Sequence, residues 1–209
     1  MKQIIVAAAL ALASGSLGAQ TLFFDDFNDE TPGLNRTPTG WTVMNGTVDI
    51  IGSGPNGTLF DALPGNGYYI DLDGSTMNAG LLSSTALSFA AGTTYELSFD
   101  LADPSGGTNT MIYGIDFASA TAVDVLLPAT TPSSQFTRFS LLFATPVATS
   151  GRVVFDQPGG DNFGLLLDDV RVAVAIPEPG TWGLLLAGLG LLGFTARRRK
   201  AALRRMPLP

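Results

Sequence analysis

The segment Thr94–Ala102, TYELSFDLA, decides the fold class. Apolar and polar side chains alternate through its centre. This pattern is typical of a β-strand with one buried face, because successive side chains of a strand point to opposite faces of the sheet. The apolar side consists of Tyr95, Leu97, Phe99 and Leu101, and the polar side consists of Glu96, Ser98 and Asp100. The segment therefore predicts a strand that packs one face against an apolar core.

The same pattern recurs along residues 20–175, which we call the body. Short runs rich in β-branched and aromatic residues are separated by clusters of Gly, Pro, Asn, Asp and Ser, and no run has convincing helical periodicity. In FTRFSLLF, for example, Phe139, Leu141 and Phe143 share one face. A body of this length suits about eight to ten antiparallel strands. We therefore predict an all-β jelly-roll β-sandwich.

Composition and charge exclude several functional classes. The chain has 209 residues, with no histidine and no cysteine. Disulfides, thiol chemistry and the usual general base are therefore absent. The body carries 17 acidic residues against four arginines and no lysine, which is a net charge of −13. Such a surface repels nucleic acid and anionic lipid, and it is better suited to a cation or a neutral ligand.

Residues 1–19 have the three parts of a secretory signal peptide. Lys2 provides the positive start, residues 4–13 form the apolar run, and SGSLGAQ supplies small residues for cleavage. We predict cleavage after Ala19, or after Gly18, and export of the mature protein. The alternative is a buried first strand or helix, but the run is rich in alanine and directly precedes a predicted strand.

The C-terminal region, residues 176–209, combines an apolar run with a basic end. Thr181–Ala196 contains sixteen uncharged residues, enough for a helix of about 24 Å. The hydrocarbon core of a bilayer is about 30 Å thick, so the span is short. A core helix would need a polar face, which this run lacks. We predict a single transmembrane helix at 181–196, with its basic end in the cytoplasm and the body outside.

The segment IPEPGTWGLLLAGLGLLGFTARRRK resembles the PEP-CTERM sorting signal. Its box is formed by Pro177, Glu178 and Pro179, and the prolines keep this segment extended and remove backbone donors. The basic stop consists of Arg197, Arg198, Arg199 and Lys200. The resemblance implies transient anchoring in the inner membrane of a Gram-negative bacterium and processing by an exosortase-type enzyme. It also implies delivery to the cell surface or an extracellular polysaccharide matrix.

The body resembles galactose-binding-like jelly rolls, the architecture of many carbohydrate-binding modules. The resemblance is carried by FDDFN at residues 24–28, GW at 40–41, YYIDLDGS at 68–75, TALSFAAGTTYELSFDLA at 85–102 and GLLLDDVRV at 164–172. It implies the fold more firmly than it implies a ligand.

The last predicted strand contains an acidic residue where an apolar one is expected. Asp168 has the same parity as Val170 and Val172, so regular alternation points it into the core. A buried carboxylate needs a hydrogen bond, an opposite charge or a metal ion, and clustered Asp oxygens suit calcium. The resemblance implies one structural calcium ion between the first and last strands, with the candidate ligands Asp25, Asp26, Asp168 and Asp169. The alternatives are a β-bulge that turns Asp168 outward and hydrogen bonds to turn amides.

A sugar-binding site needs aromatic platforms beside polar groups. The candidate platforms are Trp41, Tyr68, Tyr69 and Tyr113. Most aromatic side chains of a sandwich belong to its core, so a core position is the alternative for each of them.

Three functions are compatible with these patterns. The leading hypothesis is a non-catalytic exported protein that is sorted to the cell envelope and the polysaccharide matrix. The second is a lectin-like module that binds an exopolysaccharide, and it is compatible with the first. The third is a carboxylate-based glycosidase, which we disfavour because no feature marks two acids as a pair. The expected partners are the membrane, an exosortase-type enzyme and an exopolysaccharide, and nucleic acid is not among them.

Overall fold

The computed structural model describes residues 20–104, 109–117, 134–160, 162, 164–175 and 188–191, together with the backbone of 123–127. Within these residues the chain forms thirteen strands. They are β1 (Thr21–Asp25), β2 (Trp41–Met44), β3 (Asp49–Gly54), β4 (Gly57–Leu59), β5 (Tyr68–Asp71), β6 (Leu81–Ser84), β7 (Leu87–Phe89), β8 (Thr94–Ala102), β9 (Met111–Phe117), β10 (Val123–Leu127), β11 (Thr137–Ala144), β12 (Thr149–Asp156) and β13 (Leu166–Val174).

The strands form two antiparallel sheets. The first sheet has the order β11-β8-β13-β5-β3-β4, with β1 also paired to β13, and the second has the order β10-β9-β12-β6-β2, with β7 also paired to β12. The predicted all-β jelly-roll sandwich is therefore confirmed. The predicted strand number was too low, because turns divide two of the predicted strands and the short β4 was not foreseen.

Ala19–Ala175 forms one compact unit, and a second unit comprises both chain ends. In the second unit, the described residues 188–191 form a helical turn with exposed leucines. Among the residues that the structure describes, no helix is long and apolar enough to cross a membrane. The predicted signal peptide, the Pro-Glu-Pro box, the basic stop and most of the predicted transmembrane helix lie outside the described residues.

The core lies between the two sheets, and β8 forms its centre. Tyr95, Leu97, Phe99 and Leu101 are buried, as their alternation predicts. The ring of Phe99 lies 4.8 Å from that of Tyr113 and 5.0 Å from that of Phe155, both in the second sheet and both edge-on. Each such buried aromatic side chain contributes about 1.5–3 kcal/mol through its burial. The buried side chains of β8 thus pack the first sheet against the second.

A β-bulge in β13 corrects the predicted direction of Asp168. The register of β13 against β8 shifts between Asp168 and Arg171, and Asp169 has a left-handed φ of 49°. A bulge adds one residue to one strand, so Leu167 and Val170 both reach the core. Asp168 instead pairs with Asp100 on the outer face. The bulge alternative is therefore the correct one, although Asp168 is still only 7% exposed.

The bulge lies where β13 exchanges one neighbour for another. Its first residues, Leu166 and Leu167, pair with β5, whereas Val170–Ala173 pair with β1. The outer face beside β5 carries a second apolar cluster of Ile51, Leu63, Tyr69, Ala102 and Leu166. The Tyr69 hydroxyl accepts a hydrogen bond from the Leu63 backbone N–H at 2.9 Å. The segment after β4 is therefore held over the outer face of the first sheet, where a cavity forms.

Candidate functional site

A cavity of about 460 Å³ opens on the outer face of the first sheet. Its lining includes Asp49, Ile51, Phe60, Asp71, Ser75 and Leu166. These residues come from β3, β5, β13 and the segments that follow β4 and β5. The cavity therefore exists only when distant parts of the chain come together.

Two carboxylates stand side by side in this cavity. Asp49 begins β3 and Asp71 ends β5, and the two are direct partners in the antiparallel register. Directly paired residues project from the same face of a sheet. Both side chains accordingly line the same cavity.

Asp49 is only 4% exposed and holds two segments in place. It accepts hydrogen bonds from the backbone N–H of Asn35 at 2.6 Å and of Ser75 at 3.2 Å. The Ser75 hydroxyl also donates to its Oδ2. These donors compensate a buried carboxylate for the water it has lost.

Asp71 is engaged through one oxygen. Its Oδ1 accepts from the backbone N–H of Asp73 and of Gly164, each at 3.0 Å. A glycine at position 164 suits this contact, because a Cβ there would lie 2.5 Å from the Asp73 backbone nitrogen and closer still to Asp71 Oδ1. Burial raises the pKa of Asp71 to about 6, and the charges of Asp49 and Asp73 act in the same direction against the two backbone donors. The cavity therefore contains a carboxyl group that ionises at a higher pH than an ordinary aspartate.

Phe60 forms the aromatic rim of the cavity. It follows β4, is 69% exposed and has a left-handed φ of 42°. A bulky residue rarely adopts this conformation. The floor below the rim is apolar, with Ile51 and Leu166 among its residues. The cavity thus combines an exposed ring, an apolar floor and two carboxylates.

A second, more open groove of about 580 Å³ crosses the outer face of the second sheet. Met44, Ile112, Asp116, Arg152 and Asp156 are among its lining residues, and the groove has no aromatic ring among the described side chains that line it. Arg152 Nη1 donates to the Ser84 carbonyl at 2.6 Å. Among the described side chains, an exposed aromatic ring is therefore found at the first cavity and not at this groove.

The predicted calcium ligands separate into two environments. Asp25 accepts from the Phe27 backbone N–H at 2.9 Å and from the Trp41 indole N–H at 2.7 Å. Burial raises the pKa of Asp25, and the Trp41 hydrogen bond opposes that shift. Asp25 is therefore committed to anchoring β1 against the Trp41 side chain.

The other predicted ligands belong to a second carboxylate group, formed by Asp26, Asp100, Asp168 and Asp169. Burial raises the pKa of Asp168 to about 8. The other three carboxylates raise it further, against the hydrogen bond from the Asp169 backbone N–H. Arg138 donates to both oxygens of Asp100 and, at 3.2 Å, to Asp169 Oδ2. A guanidinium therefore supplies positive charge where calcium was expected.

The donor set does not fit a metal ion in this arrangement. In the part of the chain that the structure describes, no group of three or more acidic side chains is placed to hold a metal. The calcium site stays a prediction, and it would require these side chains to move closer together.

The four predicted aromatic platforms are all buried, which corrects their assignment. Tyr68 and Tyr69 are fully inaccessible, and Trp41 and Tyr113 are nearly so. Tyr68 donates to the Gly57 carbonyl at 2.9 Å, and Tyr69 donates to Asp61 Oδ1 at 3.2 Å. These rings offer no free face to a sugar, because Trp41, Tyr68 and Tyr113 pack in the core and Tyr69 packs in the second apolar cluster.

The residues that do line the cavity were missed in the sequence. Phe60 follows an Asn-Gly pair, which is a strong hairpin signal, and it precedes a segment containing Asp, Pro and Gly. An aromatic residue between two turn signals is a candidate for an exposed loop position. No comparable signal distinguishes Asp49 from the other acidic residues of the body.

Comparison with known proteins covers the two parts of the chain differently. Residues 175–200 match the PEP-CTERM protein-sorting motif. No curated protein matches the sequence significantly.

Solved structures share the sandwich. A cyclase from Fischerella sp. TAU is 16% identical with a TM-score of 0.56, and the alignment covers 78% of this chain and 100% of the cyclase. TmCBM61, solved in complex with beta-1,4-galactotriose, is 15% identical with a TM-score of 0.50, covering 66% of this chain and 90% of that one. The CBM22-1–GH10 modules of Clostridium thermocellum xylanase 10B are 13% identical with a TM-score of 0.49. That alignment covers 75% of this chain and 29% of the xylanase chain.

At these identities the likeness shows the fold alone. The chain therefore consists of a β-sandwich body, similar in fold to carbohydrate-binding modules, followed by a PEP-CTERM protein-sorting motif at residues 175–200.

Proposed function

We propose that this protein is exported, held briefly in the inner membrane, processed by an exosortase-type enzyme and displayed in the extracellular matrix, where its body binds polysaccharide without catalysis. The PEP-CTERM motif supports export and sorting to the cell surface. The observation that carries the binding role is the exposed Phe60 ring at the rim of an apolar cavity with two carboxylates.

The chemistry of the cavity suits a sugar. A pyranose ring presents apolar C–H faces and a rim of hydroxyl groups, and recognition needs an aromatic face beside hydrogen-bond acceptors. Phe60 supplies the face, and Asp49 and Asp71 supply the acceptors. The cavity volume of about 460 Å³ lies within the usual range for small-ligand sites of about 300–1,000 Å³.

Binding is tested on the protein secreted by its own host, applied to an array of bacterial and plant polysaccharides. Phe60→Ala should weaken glycan binding about tenfold, since an aromatic contact is worth about 0.5–1.5 kcal/mol beyond its buried area. Phe24→Ala is the matched control, because Phe24 is also exposed but does not line the cavity. Equal binding by both variants would remove the cavity as the site.

Sorting is tested at the C-terminus of the extracellular form. In a strain with the exosortase, mass spectrometry should find a C-terminus close to Pro177–Pro179. In a strain without it, the protein should remain membrane-bound with its complete tail. Replacing Pro177 and Pro179 with alanine should leave insertion intact and impair processing, because the box then joins the helix. A secreted form that ends in MPLP in both strains would overturn the sorting proposal.

A carboxylate-based glycosidase is the second candidate. The pKa of about 6 at Asp71, which lies directly opposite Asp49, is in the range that suits a general acid in a carboxylate pair. Both oxygens of Asp49 are occupied by loop donors, which argues against a role for it as nucleophile. Release of reducing sugar from a bound polysaccharide, lost in Asp71→Asn, would replace the binding proposal with this one.

A further inference from the structure

We propose that the cavity selects a sugar with a protonated amino group, such as a de-N-acetylated hexosamine unit, and seats its ammonium between Asp49 and Asp71. This inference rests on the proposed function and names its ligand class. It is carried by the shape of the cavity together with the charges that line it.

The two carboxylates are spaced for one ammonium group. Asp49 and Asp71 are direct cross-strand partners, and the Cβ atoms of such a pair lie about 4.5–5.5 Å apart. An ammonium has three donors and reaches two flanking carboxylates at once. A hydroxyl has one donor and satisfies only one of them.

Asp71 has an oxygen available for this contact. Its backbone donors both reach Oδ1, and Oδ2 accepts no hydrogen bond from the described residues. Asp49 is fixed by Asn35 and Ser75, so its carboxylate is held in position before a ligand arrives. A pre-oriented anion next to an available one favours a cation over a neutral group.

No positive side chain competes for this place among the residues that the structure assigns to the cavity lining. The body has no lysine. Of its four arginines, Arg138 is bound to Asp100 and Asp169, Arg152 to the Ser84 carbonyl and Arg171 to Thr21 Oγ1. The fourth, Arg36, donates its backbone N–H to the Val48 carbonyl and is not among the lining residues. A uronic acid would therefore meet two carboxylates with no counter-charge, and the cavity excludes it by repulsion.

The aromatic rim completes the site. An ammonium seated at Asp49 and Asp71 leaves the pyranose ring over the apolar floor, beneath the exposed Phe60 side chain. The ring face contributes to binding of any hexose, whereas the carboxylate pair discriminates by charge. The two contributions are separable by mutation.

The test compares β-1,4-linked hexamers that differ in the substituent at C2, together with one anionic oligosaccharide. Calorimetry on the secreted protein near neutral pH uses β-1,4-linked hexamers of glucosamine, N-acetylglucosamine and glucose, and an oligogalacturonate as the anion. We expect the glucosamine hexamer to bind at least tenfold more tightly than the two neutral hexamers. We expect no binding of the oligogalacturonate. The preference should shrink as salt is added, because screening weakens the ion pair.

Three variants assign the preference to the cavity. Asp71→Asn should reduce the preference for glucosamine to about twofold or less while neutral hexamers still bind. Phe60→Ala should weaken all bound hexamers alike. Asp116→Asn removes one negative charge on the other sheet and should leave the preference unchanged. If Asp116→Asn weakens it as much as Asp71→Asn, the selectivity belongs to the general negative charge and the proposal is overturned.

The remaining outcomes distinguish the amino-sugar proposal from the proposed polysaccharide-binding function on which it rests. Equal affinity for all three hexamers that are not anionic would overturn the amino-sugar proposal and leave the polysaccharide-binding role standing. Binding to no glycan at all, by folded protein, would overturn both.

Discussion

The outer face of the first sheet carries two groups of aspartates. Both groups contain a cross-strand pair of aspartates, but the surroundings of the two pairs differ. Asp168 and Asp71 both lie in strands of this sheet, and each pairs directly with another aspartate, Asp100 and Asp49 respectively. Burial raises the pKa of both, to about 8 for Asp168 and about 6 for Asp71. The first group is bridged by Arg138, and the second opens onto a cavity.

This difference indicates different roles. The first group is compensated only in part, since Arg138 of β11 pairs with Asp100 of β8 and Asp169 of β13 but not with Asp168. A pair with backbone donors and an open cavity has unused capacity for an external partner. A carboxyl group with a shifted pKa is a stronger candidate for a functional site when it lies in a cavity that a ligand can enter. The predictions below test how far the two groups differ.

Asp168→Asn should give the largest change in stability. The folded pKa is higher than the unfolded value of about 3.8, so the folded protein binds more protons between pH 4 and 8. The contribution of Asp168 to the free energy of unfolding is therefore greatest below about pH 4 and falls as the pH rises toward 8. Asn cannot ionise, so at pH 9 the variant should be more stable on the order of 3–5 kcal/mol.

The measurement is urea unfolding from pH 4 to 9, with Asp116→Asn as the surface control. The free energy of unfolding should change less with pH in Asp168→Asn than in the wild type. The control variant should change with pH as the wild type does. A variant that is less stable than the wild type at pH 9 would show that charged Asp168 has a stabilising partner.

The predicted calcium ion would bind carboxylates of the same group and favour their ionised form. If calcium draws Asp26 and Asp168 together, a hundredfold excess over Kd should raise the free energy of unfolding by about 2.7 kcal/mol. The effect should disappear in Asp168→Asn. Melting is compared in calcium and in chelator. An unchanged midpoint at saturating calcium would remove the calcium prediction and leave Arg138 as the cation described at this group.

Asp71→Asn should have a smaller stabilising effect. The pKa of Asp71 is about 6 in the folded protein. Its ionisation therefore lowers the free energy of unfolding only between about pH 4 and pH 6. The side chain is partly accessible, so at pH 8 we expect a gain of about 1–2 kcal/mol. The Asn oxygen can still accept from the N–H groups of Asp73 and Gly164.

Unfolding at pH 8 and at pH 4 tests this expectation. The wild type and Asp71→Asn should differ at the higher pH and converge at the lower one. A loss of stability at pH 8 would mean that Asp71 is needed as an anion even without a ligand, which would contradict the contrast drawn here.

Arg138→Gln should have the smallest effect. The arginine side chain is 50% exposed, and exposed ion pairs contribute about 0.2–1 kcal/mol. We expect a loss in that range at pH 7, decreasing in high salt. A double-mutant cycle with Asp100→Asn measures the pair directly. A coupling energy near zero would show that Arg138 does not compensate the group.

How much of this was visible in the sequence depends on the range of the interactions. The alternation in β8 correctly predicted which side chains are buried, because alternation is a property of the strand itself. The same rule was wrong for Asp168, since β13 has a bulge at Asp169, between the part that pairs with β5 and the part that pairs with β1. Trp41 and the three tyrosines were candidates by residue type alone, and packing placed them in the core.

The sequence by itself determined the all-β class, the acidic and lysine-free body, the absence of histidine and cysteine chemistry, and the C-terminal sorting motif. These properties reside in composition, in short motifs and in the two-residue period of a strand. Only the tertiary structure decided that Asp49 faces Asp71, that an exposed Phe60 lines the same cavity and that Arg138 pairs with two aspartates of the other group. Each of these contacts joins residues distant in the chain, and their encounter depends on strand order and register, which no local pattern encodes.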